Sequence, residues 1–310
     1  MKVLVTVLDW GMGHATRTSC IVRQLLGDGN EVVLAGSGHS LNMLKCEFPW
    51  LKSVSLPSFS PWFMRNAPQW VAIALQVPKF IFYYYWEHYL TFKLVRQMNI
   101  DMIVSDNRYG VRSRKCRSIL VTHQLSPIVA IWVPEFFNRI FDRVIAHWIN
   151  KFNEVWVPDI SPFPDGLAGR LADPRYIKTK VKTIGLLSRL DDIYAMKDDE
   201  SRRLPIDHLA IISGPEPQRS VFEQDIRELF AALDGRKIVL DGQNYTDPKT
   251  LSAFIGAAKN IYCRSGYSTI MDLMKMGHSA YLTPTPGQAE QEYLCERMTI
   301  FGFMKSSEFI

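Results

Sequence analysis

A histidine stands behind two glycines in Asp9-Trp10-Gly11-Met12-Gly13-His14-Ala15-Thr16-Arg17, where an apolar run gives way to a helical pattern. Glycines let the backbone turn sharply and bring a ligand close to the amino end of a helix, whose free N–H groups and dipole favour negative charge. An imidazole at that point, with a pKa near neutrality, can take a proton from a hydroxyl. Its partner is expected in Ser105-Asp106-Asn107-Arg108-Tyr109-Gly110, which follows another apolar run. Asp106 there would hold the His14 tautomer and stabilise the imidazolium. His123-Gln124 offers further polar groups at the end of a third run. The same residues also fit a dinucleotide-type turn with a structural histidine, because glycine patterns alone are weak signals.

The second half carries a different chemistry. Ser213-Gly214-Pro215-Glu216-Pro217-Gln218-Arg219-Ser220 offers backbone donors and the Arg219 fork to a diphosphate, without the spacing of an ATPase phosphate loop. In Arg264-Ser265-Gly266-Tyr267-Ser268-Thr269-Ile270-Met271-Asp272-Leu273, the segment from Gly266 to Thr269 opens a helix. Its N–H groups and the Ser268 and Thr269 hydroxyls can receive phosphate oxygens. Asp272, one turn later, can accept both hydroxyls of a ribose. Thr283-Pro284-Thr285-Pro286-Gly287-Gln288-Ala289-Glu290-Gln291-Glu292 then presents amides and two carboxylates at the next strand end.

The elements that must position these residues are short apolar runs alternating with helical stretches. Strands are expected at 2–8, 31–35, 102–105, 118–122 and 154–157, then at 209–213, 237–241, 260–263 and 279–283, with helices such as 17–26 and 221–233 between them. Short runs without polar alternation suit strands buried on both faces, and repeated strand–helix units argue for parallel sheets with right-handed crossovers. A polar stretch at 189–203 reads as a linker, dividing the chain into domains 1–188 and 189–310. The expected fold class is therefore α/β, two Rossmann-like doubly wound domains facing a cleft at the carboxyl ends of their strands.

Composition sets the bounds. The chain has 310 residues, 47% of them hydrophobic and 22% charged, with a net charge of +5, so it has ample material for globular cores and suits an anionic partner without selecting one. Five scattered cysteines suggest neither a disulfide framework nor a zinc site, and a reducing cytoplasm is expected. No metal is expected. Residues 1–8 read as a strand and not as a signal peptide, and no apolar run is long enough to span a bilayer. Two segments are rich in aromatics beside basic residues. One is 59–92, with Trp62, Phe63, Trp70, Phe80, Phe82, Tyr85 and Tyr89; the other is 131–152, with Trp132, Phe137, Trp148, Arg139 and Arg143. Core packing is the first expectation for most of them, and peripheral contact with the inner face of a membrane the second.

Gly11–Arg17, Arg264–Leu273 and Pro286–Gln291 together resemble the inverting glycosyltransferases of the GT-B fold. The likeness is to family 28, which includes the GlcNAc transferase of peptidoglycan synthesis, and covers both halves in outline. The resemblance implies a UDP-sugar donor, no required metal and no other cofactor. It implies that His14 is the catalytic base and that Asp272 is the ribose-binding acid; Asp106 keeps the supporting role read from its own segment. Gln288, Glu290 and Gln291 would contact the donor sugar; Ser213, Gly214, Arg219, Arg264, Gly266, Ser268 and Thr269 are the further donor-binding candidates read from their own segments. Gly13, Asn107, Arg108 and His123 fall on the acceptor side, toward a glycan or lipid-linked acceptor, and nucleic acid is not expected as a partner. The loop Gly214-Pro215-Glu216-Pro217-Gln218-Arg219 departs from the peptidoglycan enzyme, so that substrate does not carry over. The chain looks closer to bacterial lipopolysaccharide N-acetylglucosamine transferase-like proteins. It stops short of the C-terminal helix that usually crosses back in this fold, and a short or trimmed C-terminus is expected. A UDP-GlcNAc 2-epimerase and a noncatalytic sugar-nucleotide-binding subunit remain as alternatives. A nicotinamide dehydrogenase is disfavoured by Thr16 in place of a third glycine.

Overall fold

The computed structural model describes residues 1–59, 69–128, 135–190, 205–241 and 247–305, without the side chains of 69–74, 135 and 137. Most of the stretch expected as a linker therefore lies outside the described residues, as do Trp62, Phe63 and Trp132 and the side chains of Trp70 and Phe137. The chain divides into two compact units, Met1–Leu187 and Ser188–Ile310.

The first unit holds a seven-stranded parallel sheet. Its strands are β1 (Lys2–Thr6), β2 (Glu31–Gly36), β3 (Lys52–Ser55), β4 (Met102–Asp106), β5 (Arg117–Val121), β6 (Glu154–Val157) and β7 (Lys180–Thr183), in spatial order β3-β2-β1-β4-β5-β6-β7. Helices α1 (Met12–Gly27), α2 (Gly38–Glu47), α3 (Gln69–Met98) and α4 (Glu135–Ile149) make the connections. Successive side chains of a strand point to opposite faces. Val3, Val5, Val32, Leu34, Met102 and Val104 accordingly pack in one core, while Leu4, Val33, Ala35 and Ile103 pack in another. Both faces are covered, which is why the strands read as unbroken apolar runs.

The second unit holds β8 (Ile206–Ile212), β9 (Lys237–Asp241), β10 (Ala258–Arg264), β11 (Tyr281–Thr283) and β12 (Met304–Lys305), in the order β12-β11-β10-β8-β9. They are joined by α5 (Gln218–Ala232), α6 (Pro248–Ala257), α7 (Tyr267–Lys275) and α8 (Ala289–Met298). Local chemistry sets the start of α6: the Asp247 carboxylate accepts the Thr250 N–H at 3.1 Å, and Pro248 occupies the first helical position, where no N–H is needed.

Three strands escaped the sequence reading. β3 and β7 are polar, as Lys-Ser-Val-Ser and Lys-Val-Lys-Thr show, and β12 is only two residues long; each lies at the rim of its sheet, where little apolar area is buried. Among the described residues no helix is long and apolar enough to cross a membrane.

The aromatic-rich segments split between core and surface. Phe59 and Tyr84 are buried, whereas Phe82, Tyr85, Trp86 and Tyr89 are exposed. Core packing thus accounts for only part of the segment.

Candidate functional site

In the first unit the chain leaves β1, moves outward through β2 and β3, and returns to place β4 on the other side of β1. The carboxyl ends of β1 and β4 therefore flank a topological switch point, the usual ligand crevice of an open α/β sheet. Thr6 and Ser105 are paired in register there, with hydroxyls 3.3 Å apart. From β1 the chain passes through Gly11, at φ +134°, into α1, whose first turn carries His14. From β4 it ends on Asp106 and continues through Asn107 at φ +54°, a conformation that asparagine tolerates better than most residues.

Asp106 is 1% exposed and accepts from several donors. The Thr18 hydroxyl donates to Oδ2 at 2.8 Å, Nε of Arg17 stands 3.0 Å from both oxygens, and Nη2 of Arg17 donates to Oδ1. His14 Nδ1 lies 3.2 Å from Oδ1 of Asp106 and 2.8 Å from Nη2 of Arg17. Those two contacts need opposite tautomers. With its proton on Nδ1, His14 donates to Asp106 and leaves Nε2 as a base; with Nδ1 bare, it accepts from Arg17 and Nε2 carries the proton.

Burial and the Arg17 cation hold the His14 pKa below its ordinary value, against the pull of Asp106, and His123 pushes the same way. This favours the neutral ring. Burial would raise the Asp106 pKa, but Arg17 and His14 outweigh it and keep the carboxyl ionised well below the usual range.

Arg17 is the site residue that the sequence reading missed. It is 2% exposed, and the visible signal was an arginine three residues after the histidine on a helix, hence on the same face. Asp9 has a structural job: its carboxylate accepts the Ser40 N–H at 3.0 Å and lies against Gly38, where a Cβ would sit 1.8 Å from an Asp9 oxygen.

Of the residues expected on the acceptor side, Gly13 lies in the first turn of α1 and Asn107 next to Asp106, both partly exposed, and His123 is buried after β5. Arg108 is a correction. It is 1% exposed, and its guanidinium donates to the carbonyls of Val7 and Pro57 and to Glu87 Oε1 at 2.8 Å. A side chain so engaged ties α3 to the end of β1 and has no reach left for an acceptor.

The second unit repeats the topology: β8 and β10 flank its switch point. Ser213 and Gly214 follow β8, and Gly266 opens α7 after β10 with no side-chain cap on the helix. Ser268 and Thr269 occupy its first turn, partly exposed, with Thr269 Oγ1 3.9 Å from the Cβ position at Gly266. Three carboxyl-end loops are bound together there. Arg264 donates to the Gln218 and Pro284 carbonyls at 2.8 Å each, the Ser265 hydroxyl to the Gln291 carbonyl at 2.7 Å, and the Thr285 N–H to Gln291 Oε1 at 2.9 Å. Gln291 Nε2 in turn donates to Gln288 Oε1 at 2.7 Å, and Glu290 is partly exposed in the first turn of α8.

Two arginines expected on the donor side have partners within the protein. Arg264 is 4% exposed, lies 4.3 Å over the Phe222 ring and braces two loops. Arg219 is paired with Asp241 and, at 3.2 Å, with Glu216. Local carboxylates and carbonyls take the terminal nitrogens of both guanidinium groups, which no one-dimensional spacing reveals.

Asp272 is half-buried on α7, accepting from the Ser188 hydroxyl. Burial pushes its pKa up to about 6, against that hydrogen bond and the Arg189 charge. Thr285, 2% exposed, keeps an unpartnered hydroxyl 4.0 Å from the Cβ position at Gly214, whose φ is +117°. Among the described residues no three His, Cys, Asp or Glu side chains are grouped to hold a metal ion.

Two doubly wound parallel sheets of seven and five strands are the fold of the GT-B glycosyltransferases. The chain is similar to the glycosyltransferase SsfS6 of Streptomyces sp. SF2575, solved with thymidine diphosphate, at TM-score 0.60 and 13% identity over 99% of this chain and 88% of that one. It is similar to Arabidopsis thaliana UGT89C1, solved with UDP-L-rhamnose, at TM-score 0.58 and 14% identity over 98% and 84%. MurG of Acinetobacter baumannii is matched at TM-score 0.52 and 12% identity, over 98% and 84%. At these identities the likeness is one of fold. No protein-family model and no curated protein matches the chain.

Proposed function

We propose that the chain is an inverting, metal-independent glycosyltransferase that moves a sugar, GlcNAc by resemblance, from a UDP donor to a hydroxyl of a glycan or lipid-linked acceptor. The observation that carries this reading is the buried Asp106 in contact with His14 at the switch point of the first sheet. The acceptor hydroxyl gives its proton to Nε2 of His14 as its oxygen attacks the anomeric carbon. The bond from that carbon to the diphosphate oxygen breaks, and UDP leaves with the electron pair. Asp106 stabilises the imidazolium through Nδ1–H.

On the donor side, the uncapped amino end of α7, with Ser268 and Thr269, receives the charge that develops on the diphosphate. Asp272 accepts the ribose hydroxyls with the oxygen that Ser188 leaves open, and Gln288, Glu290 and Gln291 contact the sugar. Arg264 and Arg219 shape the loops around this site in place of touching phosphate.

Isothermal titration with UDP, with and without Mg²⁺, on the wild type and Asp272→Ala tests the donor site. Metal-independent binding that weakens about tenfold or more in the variant is expected from loss of a charged hydrogen-bond acceptor. No UDP binding, or a product that keeps the donor's anomeric configuration, defeats the proposal. Turnover of UDP-GlcNAc without any acceptor would point to the epimerase instead.

A further inference from the structure

We infer that the outward faces of α3 and α4 form a docking surface for an anionic lipid bilayer. Along α3, Tyr84, Glu87, Thr91 and Val95 point inward and are buried. The opposite side carries Phe82, Tyr85, Trp86, Tyr89 and Phe92, which are between 39% and 65% exposed. Their spacing of three and four residues keeps them in one stripe.

Cations close the far end of that stripe. Lys93 Nζ lies 4.5 Å from the Tyr89 ring centre, the Arg96 guanidinium 4.5 Å from Phe92, and Lys115 Nζ 5.7 Å from Phe92. α4 packs beside α3, with Trp148 stacked on Tyr84 at 5.4 Å. It presents a second exposed row, Phe136, Ile140 and Val144 at intervals of four, alongside exposed Arg139, Arg143 and His147. Among the described residues no carboxylate stands at these outward positions.

Aromatic rings with a polar rim and aliphatic side chains suit the boundary between headgroups and acyl chains, and the adjacent lysines and arginines suit lipid phosphates. The charge also decides between occupants. A second copy of the chain meeting this face symmetrically would set cations against cations, whereas an anionic bilayer complements them. The aliphatic Ile140 and Val144 favour acyl chains over the stacked bases of a nucleic acid. The inference goes beyond the proposed reaction and does not rest on it.

The test is vesicle flotation of the full chain. Phosphatidylcholine vesicles are compared with vesicles carrying about one part in three phosphatidylglycerol, at low and high salt. Binding to the anionic vesicles at low salt is expected. It should fall about tenfold or more in Lys93→Glu with Arg96→Glu, and several-fold in Tyr85→Ser with Tyr89→Ser, with unchanged melting temperatures. Should either pair misfold, Ile140→Ser with Val144→Ser on α4 is expected to show the same loss. The inference is overturned if the wild type stays unbound at low salt, or if all folded variants bind as well as it does. It is equally overturned if light scattering shows that these substitutions dissociate a dimer.

Discussion

At the scale of single residues, the proposed chemistry turns on which partner holds Nδ1 of His14. Arg17 Nη2 at 2.8 Å and Asp106 Oδ1 at 3.2 Å compete for it; the proposed reaction needs Asp106 to hold the Nδ1 proton, while the Arg17 cation disfavours charge on the ring. In Arg17→Met the cation that depresses the His14 pKa is gone while Asp106 remains. The acid limb of the kcat/KM profile should then move to higher pH, with kcat falling at pH 7. A limb that stays in place, or moves lower, would show that Arg17 merely packs. Asp272 offers a second test with a defined sign. Its pKa in the fold is about 6, above the ordinary 3.8, so the contribution of this group to stability is greatest below about pH 4 and declines as pH rises through 6, where the half-buried carboxyl ionises. The ionised form costs at most about 3 kcal/mol. Asp272→Asn should therefore melt higher than the wild type at pH 8, with little difference near pH 4, yet bind UDP more weakly at pH 8. UDP affinity of the wild type should drop as pH falls below 6, and that dependence should vanish in the variant.

At the scale of elements, loops at strand ends carry the candidate groups and buried polar side chains hold those loops. Arg108 joins α3, β1 and the segment after β3 through Glu87 and the carbonyls of Val7 and Pro57. Burial raises the Glu87 pKa and Arg108 pulls it back. Arg108→Ala would strand a buried carboxylate and two carbonyls, and a loss of about 3 to 5 kcal/mol in urea unfolding is expected. Glu87→Gln with Arg108→Met should lose markedly less, because it leaves no buried charge. In the second unit Arg264 does comparable work, tying the loops after β8 and β11 across the Phe222 ring. Such arginines look like ligand residues in a sequence, because a charged group beside a glycine loop has the same one-dimensional signature whether it faces a phosphate or a carbonyl.

At the scale of the whole molecule, two sheets, each reversing its strand order at one point, account for where the candidate residues gather. Unbroken apolar runs revealed the inner strands, since a strand covered on both faces has no polar alternation; the rim strands β3, β7 and β12 stayed hidden for the converse reason. Local spacing was enough to put His14 and the Ser268–Thr269 pair at helix starts and Asp272 one turn further on, because backbone geometry within a turn follows from glycine and helix periodicity. It was enough as well to set the α/β class. Contacts between residues far apart in the chain were beyond it. Arg17 and Asp106 are separated by 89 positions, and only the parallel register of β1 and β4 brings them together. Burial belongs to the same category: it makes Arg108 a brace, lifts the Asp272 pKa and leaves the aromatic stripe of α3 facing solvent. The sequence by itself determined which chemical groups stand at which turn. Their partners and their ionisation were decided by the tertiary structure, because desolvation and hydrogen bonding depend on neighbours that the order of residues does not name.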